Sequence, residues 1–339
     1  MLLAAVAVIA GLAVLVWSAD KFVDGAVGVA RFCGVSTLLI GMVIVGFGTS
    51  APELTVSAIS AVQGNPELAL GNAYGSNIAN IALILGATAL ISPILMQRSV
   101  IRGDLPVLIA VSVLSIALVL DGSVVRWNGI VLLLVFVAAM GYSIWRETKK
   151  ARLEKGEGLP LASASGASLA GVSPESSATP SEKPSLGKSV FWLLLGLALL
   201  VASSRALVWG AVEIARTLGV SDLLIGLTIV AIGTSLPELA SSIAAARKGE
   251  NDIALGNIIG SNLFNTLAVV GIAAVISPMD EIEPAVASRD MPLMTALTVA
   301  LIVLGFRREG DGRLNRIAGA ILLAVYIAYL GLLIAQAKG

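Results

Sequence analysis

Histidine is absent from the chain, and Cys33 is its only cysteine. Without imidazole there is no histidine zinc site, no Ser-His or Cys-His nucleophile and no histidine proton relay, and a lone thiol excludes an intrachain disulfide. Charge is scarce as well. Only 13% of the 339 residues are Asp, Glu, Lys or Arg, against roughly a quarter in soluble domains. The 22 basic and 22 acidic residues cancel, which argues against nucleic acid as a partner. What is present instead is apolar: 57% hydrophobic residues and a mean hydropathy of +0.94 mark an integral membrane protein whose solvent is the lipid bilayer. The opening Met1-Leu2-Leu3-Ala4-Ala5 lacks the basic region of a secretory signal, so its apolar run is expected to stay as a first helix.

One span needs about 20 apolar residues. Apolar stretches with turn or charge punctuation fall at 2–28, 37–62, 67–92, 104–120 and 125–145, and again at 189–215, 222–246, 252–277, 291–306 and 314–335. Between the two sets of five, residues 146–188 begin with a charged run and continue as a Ser/Ala/Gly/Pro-rich tract. That composition reads as a flexible extramembrane linker. The sets are copies. Residues 41–54, GMVIVGFGTSAPEL, match 226–239, GLTIVAIGTSLPEL, at 9 of 14 positions, and 71–80, GNAYGSNIAN, match 256–265, GNIIGSNLFN, at 6 of 10, both at an offset of 185. Because each half has an odd number of spans, the second must enter the membrane from the side opposite to the first.

The expected fold is therefore an all-α polytopic membrane protein of ten transmembrane helices, an N-terminal five-helix repeat over 1–145 and an inverted C-terminal five-helix repeat over 189–339. Basic residues set its orientation. Sixteen Lys and Arg lie on the face that holds the linker and four on the other, so the linker is expected to be cytoplasmic and both termini outside, in a prokaryotic plasma (inner) membrane.

Two acids lie deep within spans. Glu53 sits well inside the second apolar stretch and Glu238 at the matching place in the seventh. A carboxylate at that depth costs on the order of 2.5–3.5 kcal/mol on insertion scales, which makes it a functional residue by default. Each follows a helix breaker. Pro52 and Pro237 cannot donate to the carbonyls of Gly48 and Gly233, and Thr49 and Ser50, like Thr234 and Ser235, add hydroxyl oxygens beside them. An all-oxygen environment of this kind suits hard cations such as calcium and sodium. Broken helices at corresponding places of two halves also point to a transporter's midplane site.

In the third span Asn72, Ser76 and Asn80 recur every four residues as one polar stripe, repeated by Asn257, Ser261 and Asn265 in the eighth. Gly71-x-x-x-Gly75 and Gly256-x-x-x-Gly260 resemble close-packing motifs, so Asn72 and Asn257 are divided evenly between packing and binding, whereas the deeper Asn80 and Asn265 are better neutral ligands. Asp20, Lys21 and Asp24 read as interfacial anchors, and the repeat sets Asp20 against Arg205, which permits an ion pair between halves.

The paired GTSAPE and GTSLPE segments, each followed by G-N-x-x-G-S-N-x-x-N, resemble the two alpha repeats of the sodium/calcium exchanger family within the calcium/cation antiporters. The resemblance implies that calcium is exchanged for sodium at a site framed by the second, third, seventh and eighth helices, with these two ions as the partners, no cofactor, no obligate protein partner and no enzymatic activity. Carried over, it places Glu53 and Glu238 on calcium, Thr49 and Thr234 as carbonyl or hydroxyl donors, Ser50, Ser76, Ser235 and Ser261 at flanking sodium sites, and Asn80 and Asn265 at the centre. Many relatives, particularly potassium-dependent ones, carry aspartate where this chain has Asn265, so two carboxylates remain, enough for one calcium ion. Calcium/proton exchange and a calcium-permeable channel are the alternatives.

Overall fold

In the computed structural model the described residues are 1–154, 185–220, 225, 228–229, 231–307 and 310–336. Most of the expected linker and the start of the seventh apolar stretch thus lie outside them. The described chain is helical, in the order α1 (Leu2–Cys33), α2 (Thr37–Thr49), α3 (Ala51–Val62), α4 (Pro66–Ile91), α5 (Val100–Val119), α6 (Arg126–Glu154), α7 (Leu186–Thr217), α8 (Ala231–Thr234), α9 (Leu236–Arg247), α10 (Asn251–Ile276), α11 (Val286–Gly305) and α12 (Arg316–Gln336). Two three-residue strands complete it, β1 (Ile94–Met96) before α5 and β2 (Gly312–Leu314) before α12. Among the described residues eight helices are long and apolar enough to cross a membrane, and α2 with α3, bent by 45°, makes a ninth.

Burial sorts these helices into centre and rim. Within their apolar stretches α10 is 89% buried and α4 72%, whereas α1, α6, α7 and α12 are buried by less than a third. The rim helices turn Ile9, Leu134, Val137, Leu194 and Ile327 outward, the surface a helix presents to lipid. The two 32-residue helices α1 and α7 lie against each other, and at ~1.5 Å per residue each outreaches a hydrocarbon layer of about 30 Å, so each must tilt or protrude. Glycine makes their closeness possible: a Cβ on Gly25 would lie 2.7 Å from Leu193 Cα, and one on Gly196 would lie 2.8 Å from Phe22 Cα.

The same device seats α10 against α2. A Cβ on Gly256 would lie 2.9 Å from the Met42 nitrogen, and one on Gly260 would lie 2.7 Å from Met42 Cα, so the second G-x-x-x-G is a close-packing motif. Gly71 and Gly75 have nothing within 4 Å among the described residues. In the segment that the repeat would set against them, residues 226, 227 and 230 lie outside the description.

Wide helical turns recur with the repeat. Ala79–Leu85 and Phe264–Val269 carry π turns inside α4 and α10, and Val100–Asp104 and Val286–Asp290 carry them at the starts of α5 and α11. At the latter pair the cause is local: Pro106 and Pro292 follow, each without the N–H that an α-turn would require.

Helix ends meet through named contacts. At one end β1 pairs antiparallel with β2, Ile94 opposite Leu314; Lys248 reaches Asp24 at 2.7 Å and Asp20 at 3.7 Å; Arg31 meets Glu250 at 3.7 Å. Arg146 bonds Asp104 at 2.6 Å, and Ser36, the N-cap of α2, donates to Glu147 at 2.8 Å. These pairs anchor α6 just past the boundary expected at 145, and the helix itself runs on to Glu154. Elsewhere Val124 bridges Met279, and Asp290 takes Arg289 and the Tyr329 hydroxyl at 2.7 and 2.9 Å. Asp20 therefore finds Lys248, while Arg205 stands exposed.

Candidate functional site

The break between α2 and α3 falls at Ser50, whose φ and ψ of −83° and 2° depart from helical values although its N–H still donates to the Gly46 carbonyl, and Pro52 lies in the first turn of the helix that follows. Ser235 breaks the second half in the same way, at −91° and 8° before Pro237. Each break sets its glutamate in the first turn of the new helix, near that helix's positive end. Both glutamates are 1% exposed, and neither has a basic partner within 4.0 Å among the described residues. A buried charge without a partner costs several kcal/mol, which makes the pair the centre of the candidate site.

Hydrogen bonds tie the two breaks together. Ser50 Oγ, from the first half, donates to Glu238 Oε1 of the second at 3.3 Å. Thr49 Oγ1 lies 3.0 Å from both the Val45 carbonyl and Asn257 Oδ1, with one proton to give. Ser261 Oγ donates to the Gly46 carbonyl at 3.2 Å. The carbonyl of Gly233, freed by Pro237, is taken by Ser204 Oγ of α7 at 3.0 Å. Behind the site, Asn72 Nδ2 bonds the Glu53 carbonyl and Ser57 Oγ at 3.2 and 3.0 Å. Asn257 Nδ2 does the same for the Glu238 carbonyl, Ser241 and Ser242, at 3.3, 3.0 and 2.9 Å. Both asparagines thus brace the backbone of the glutamate helices, which decides their even division toward packing.

These bonds leave several buried polar atoms over, most of them oxygens. Glu53 Oε2, Glu238 Oε2, Asn80 Oδ1, Asn265 Oδ1 and Ser235 Oγ are all buried and have no hydrogen-bond partner. Native interiors seldom leave such atoms unmatched; two are carboxylate oxygens, one a hydroxyl and two amide oxygens, the ligand chemistry that hard cations take. Among the described residues no three Asp, Glu, His or Cys side chains converge so as to hold a metal ion by themselves; the candidate donors here are two carboxylates and neutral oxygens. Ser76 is buried beside them, 6% exposed, and Thr234 is half-buried.

Four residues beside the site were not anticipated from sequence. Asn77 Nδ2 donates to Thr266 Oγ1 at 2.7 Å, and Asn80 Nδ2 donates to Asn262 Oδ1 at 2.9 Å. These bonds join α4 to α10 across the halves. Phe264, next to Asn265, is held edge-on by Phe47 and Phe136, with ring centroids 4.9 and 5.2 Å away. Identity of G-S-N in both repeats is the sequence signal that points to Asn77 and Asn262.

The model of the sodium/calcium exchanger protein family matches residues 3–145 and 188–335. A putative antiporter, CaxA of Alkalimonas amylolytica, is 47% identical over 98% of this chain and 99% of its own length. The inner membrane protein YrbG of Escherichia coli is 38% identical over 98% and 97%. Among solved structures, the sodium-calcium exchanger NCX_Mj soaked with sodium and strontium superposes with a TM-score of 0.79 at 28% identity, covering 98% of both chains. Matched by the family model through both halves and nearly end to end by such relatives, the chain belongs to the sodium/calcium exchanger protein family, a family of membrane transporters and not of enzymes.

Proposed function

We propose that this chain is a secondary active antiporter that exchanges calcium for sodium by alternating access at one site shared by its two halves. The observation that carries the reading is the set of buried oxygens without partners, drawn from both halves and including those of Glu53 and Glu238. Two carboxylates neutralise one calcium ion or two sodium ions. In this reading Glu53 and Glu238 bind calcium, Asn80 and Asn265 supply neutral oxygens at the middle of the cluster, and Thr49 and Thr234 add carbonyl or hydroxyl oxygens. Ser50, Ser76, Ser235 and Ser261 serve flanking sodium ions. Calcium and sodium compete for the same carboxylates, so either load fills the site and both do not.

Competition then gives coupling. The halves exchange sides only with the site filled, because closing apolar walls around two ionised carboxylates without a cation carries the full burial penalty. An empty carrier is thereby slow to turn over, and leak is suppressed. Ten spans in two inverted repeats suit this cycle. The contacts between helix ends support that topology: Arg31 with Glu250, Ser36 with Glu147, Lys248 with Asp24 and β1 with β2 each join segments that alternating spans assign to one side. The richly basic side and the linker are cytoplasmic, the termini outside, and the membrane is a prokaryotic plasma membrane.

The deciding experiment is calcium uptake into vesicles that hold purified protein, under an imposed sodium, proton or potassium gradient. Uptake driven by an outward sodium gradient and absent without it is expected. Uptake driven by protons alone would replace sodium by protons as the counter-ion, and uptake with no countergradient would make the protein a channel.

A further inference from the structure

Asn80 is a side-chain amide, and an amide has two faces: Oδ1 attracts a cation and Nδ2–H2 repels it. The two are nearly the same size, so a half-turn about χ2 converts a ligand into an obstacle. Something must choose between them. Asn262 sits on α10, 1% exposed, and its Oδ1 accepts from Asn80 Nδ2 at 2.9 Å. A hydrogen bond between two amides can be made in either sense; the sense found here consumes the nitrogen of Asn80 and leaves Asn80 Oδ1 without a partner. Asn262 Nδ2 is likewise without a partner, so Asn262 serves here through its oxygen alone.

The pairing is not duplicated. Asn77, the counterpart of Asn262 in the repeat, gives its Nδ2 to Thr266 Oγ1 at 2.7 Å and lies 3.2 Å from Met294 Sδ, and its Oδ1 has no partner. Asn265 thus gains no lock from Asn77 like the one Asn80 has from Asn262. We infer that Asn262 is a positioning residue, which fixes the amide of Asn80 with its oxygen toward the cation and so sets the affinity for calcium. This rests on the reading above in which Asn80 is a cation ligand.

A double-mutant cycle separates orientation from packing. Asn262→Leu keeps the branched shape and removes the acceptor; Asn80→Asp replaces the amide by a carboxylate that presents oxygen at both ends and needs no lock. Calcium affinity is read on purified protein from the calcium dependence of its melting temperature. With Asn80 in place, Asn262→Leu is expected to weaken calcium by on the order of tenfold, the worth of about one buried hydrogen bond between neutral amides. In the Asn80→Asp background the same change should cost no more than about twofold. An equal loss in both backgrounds, or no loss in the first, would overturn the inference.

Asn262→Asp gives a second contrast that does not depend on the Asn80→Asp background binding calcium. It keeps an acceptor for Asn80 Nδ2, and the carboxylate it introduces can only favour a cation, so affinity should be held or raised where Asn262→Leu loses it. Equal weakening by both would assign Asn262 to packing. Asn80→Leu tests the underlying reading separately: calcium affinity untouched by that change would remove Asn80 from the ligand set altogether.

Discussion

Gly260→Ala adds one methyl group at the tightest point between α10 and α2, and the consequence can be worked from distances. The new carbon would lie 2.7 Å from Met42 Cα and 2.8 Å from its carbonyl carbon. Carbon atoms settle at about 3.5–4.0 Å, and both obstacles are backbone, so the helices must part by about 1 Å. Two hydrogen bonds span the same seam, Thr49 to Asn257 at 3.0 Å and Ser261 to Gly46 at 3.2 Å. Neither survives such a displacement. Overpacking costs about 1–3 kcal/mol and each lost bond about 1 kcal/mol, roughly 3–5 kcal/mol together. The loss falls on site residues, so calcium affinity should drop along with the melting temperature in detergent. Gly141→Ala is the control: it sits exposed on α6 with nothing within 4 Å among the described residues and should leave both unchanged. If Gly260→Ala melted and transported like the parent, the close packing of α2 on α10 would not be what holds the site.

Glu53→Gln and Glu238→Gln should each abolish sodium-driven calcium uptake while the protein still reaches the membrane, since glutamine keeps the shape and loses the charge that offsets dehydration of a divalent ion; near-normal exchange in either variant would sink the shared-carboxylate mechanism. Exchange should run without potassium, because Asn265 offers oxygen and no charge, and Asn265→Asp should change the order of cation competition; calcium movement that requires potassium in the unmodified protein would contradict this. In a Cys33→Ser background, a cysteine at Glu281 should react with an impermeant thiol reagent added to intact cells and one at Ser173 should not. The reverse pattern would invert the orientation.

Hydropathy located the spans because lipid imposes long apolar runs, but it misjudged where several end. The fourth span is expected from Asp104, yet α5 already begins at Val100, ahead of the charged Arg102, and Asp104 within it is paired with Arg146. The start of α11 at Val286 is hidden in the same way by Arg289 and Asp290. Glu53 and Glu238 were legible through depth and duplication, and the flanking Thr, Ser and Pro through their spacing. Asn77 and Asn262 were not, because a stripe counted every four residues selects Asn80 and passes over a neighbour turned toward the other central helix. The β1–β2 pair also escaped notice: three-residue strands carry almost no periodicity.

That small ribbon, together with the Val124–Met279 bridge, has a consequence for how the protein holds together. β1 comes from the first half and β2 from the second, and Val124 and Met279 are likewise one from each. Each half therefore closes the backbone hydrogen bonds of the other, like two hands with fingers crossed, at two separate places. Covalent continuity between them adds proximity but no part of this clasp. Two polypeptides made by cutting the chain within 155–184 should find each other in the membrane and form one working unit, while either alone would be left with open strand edges and half a site.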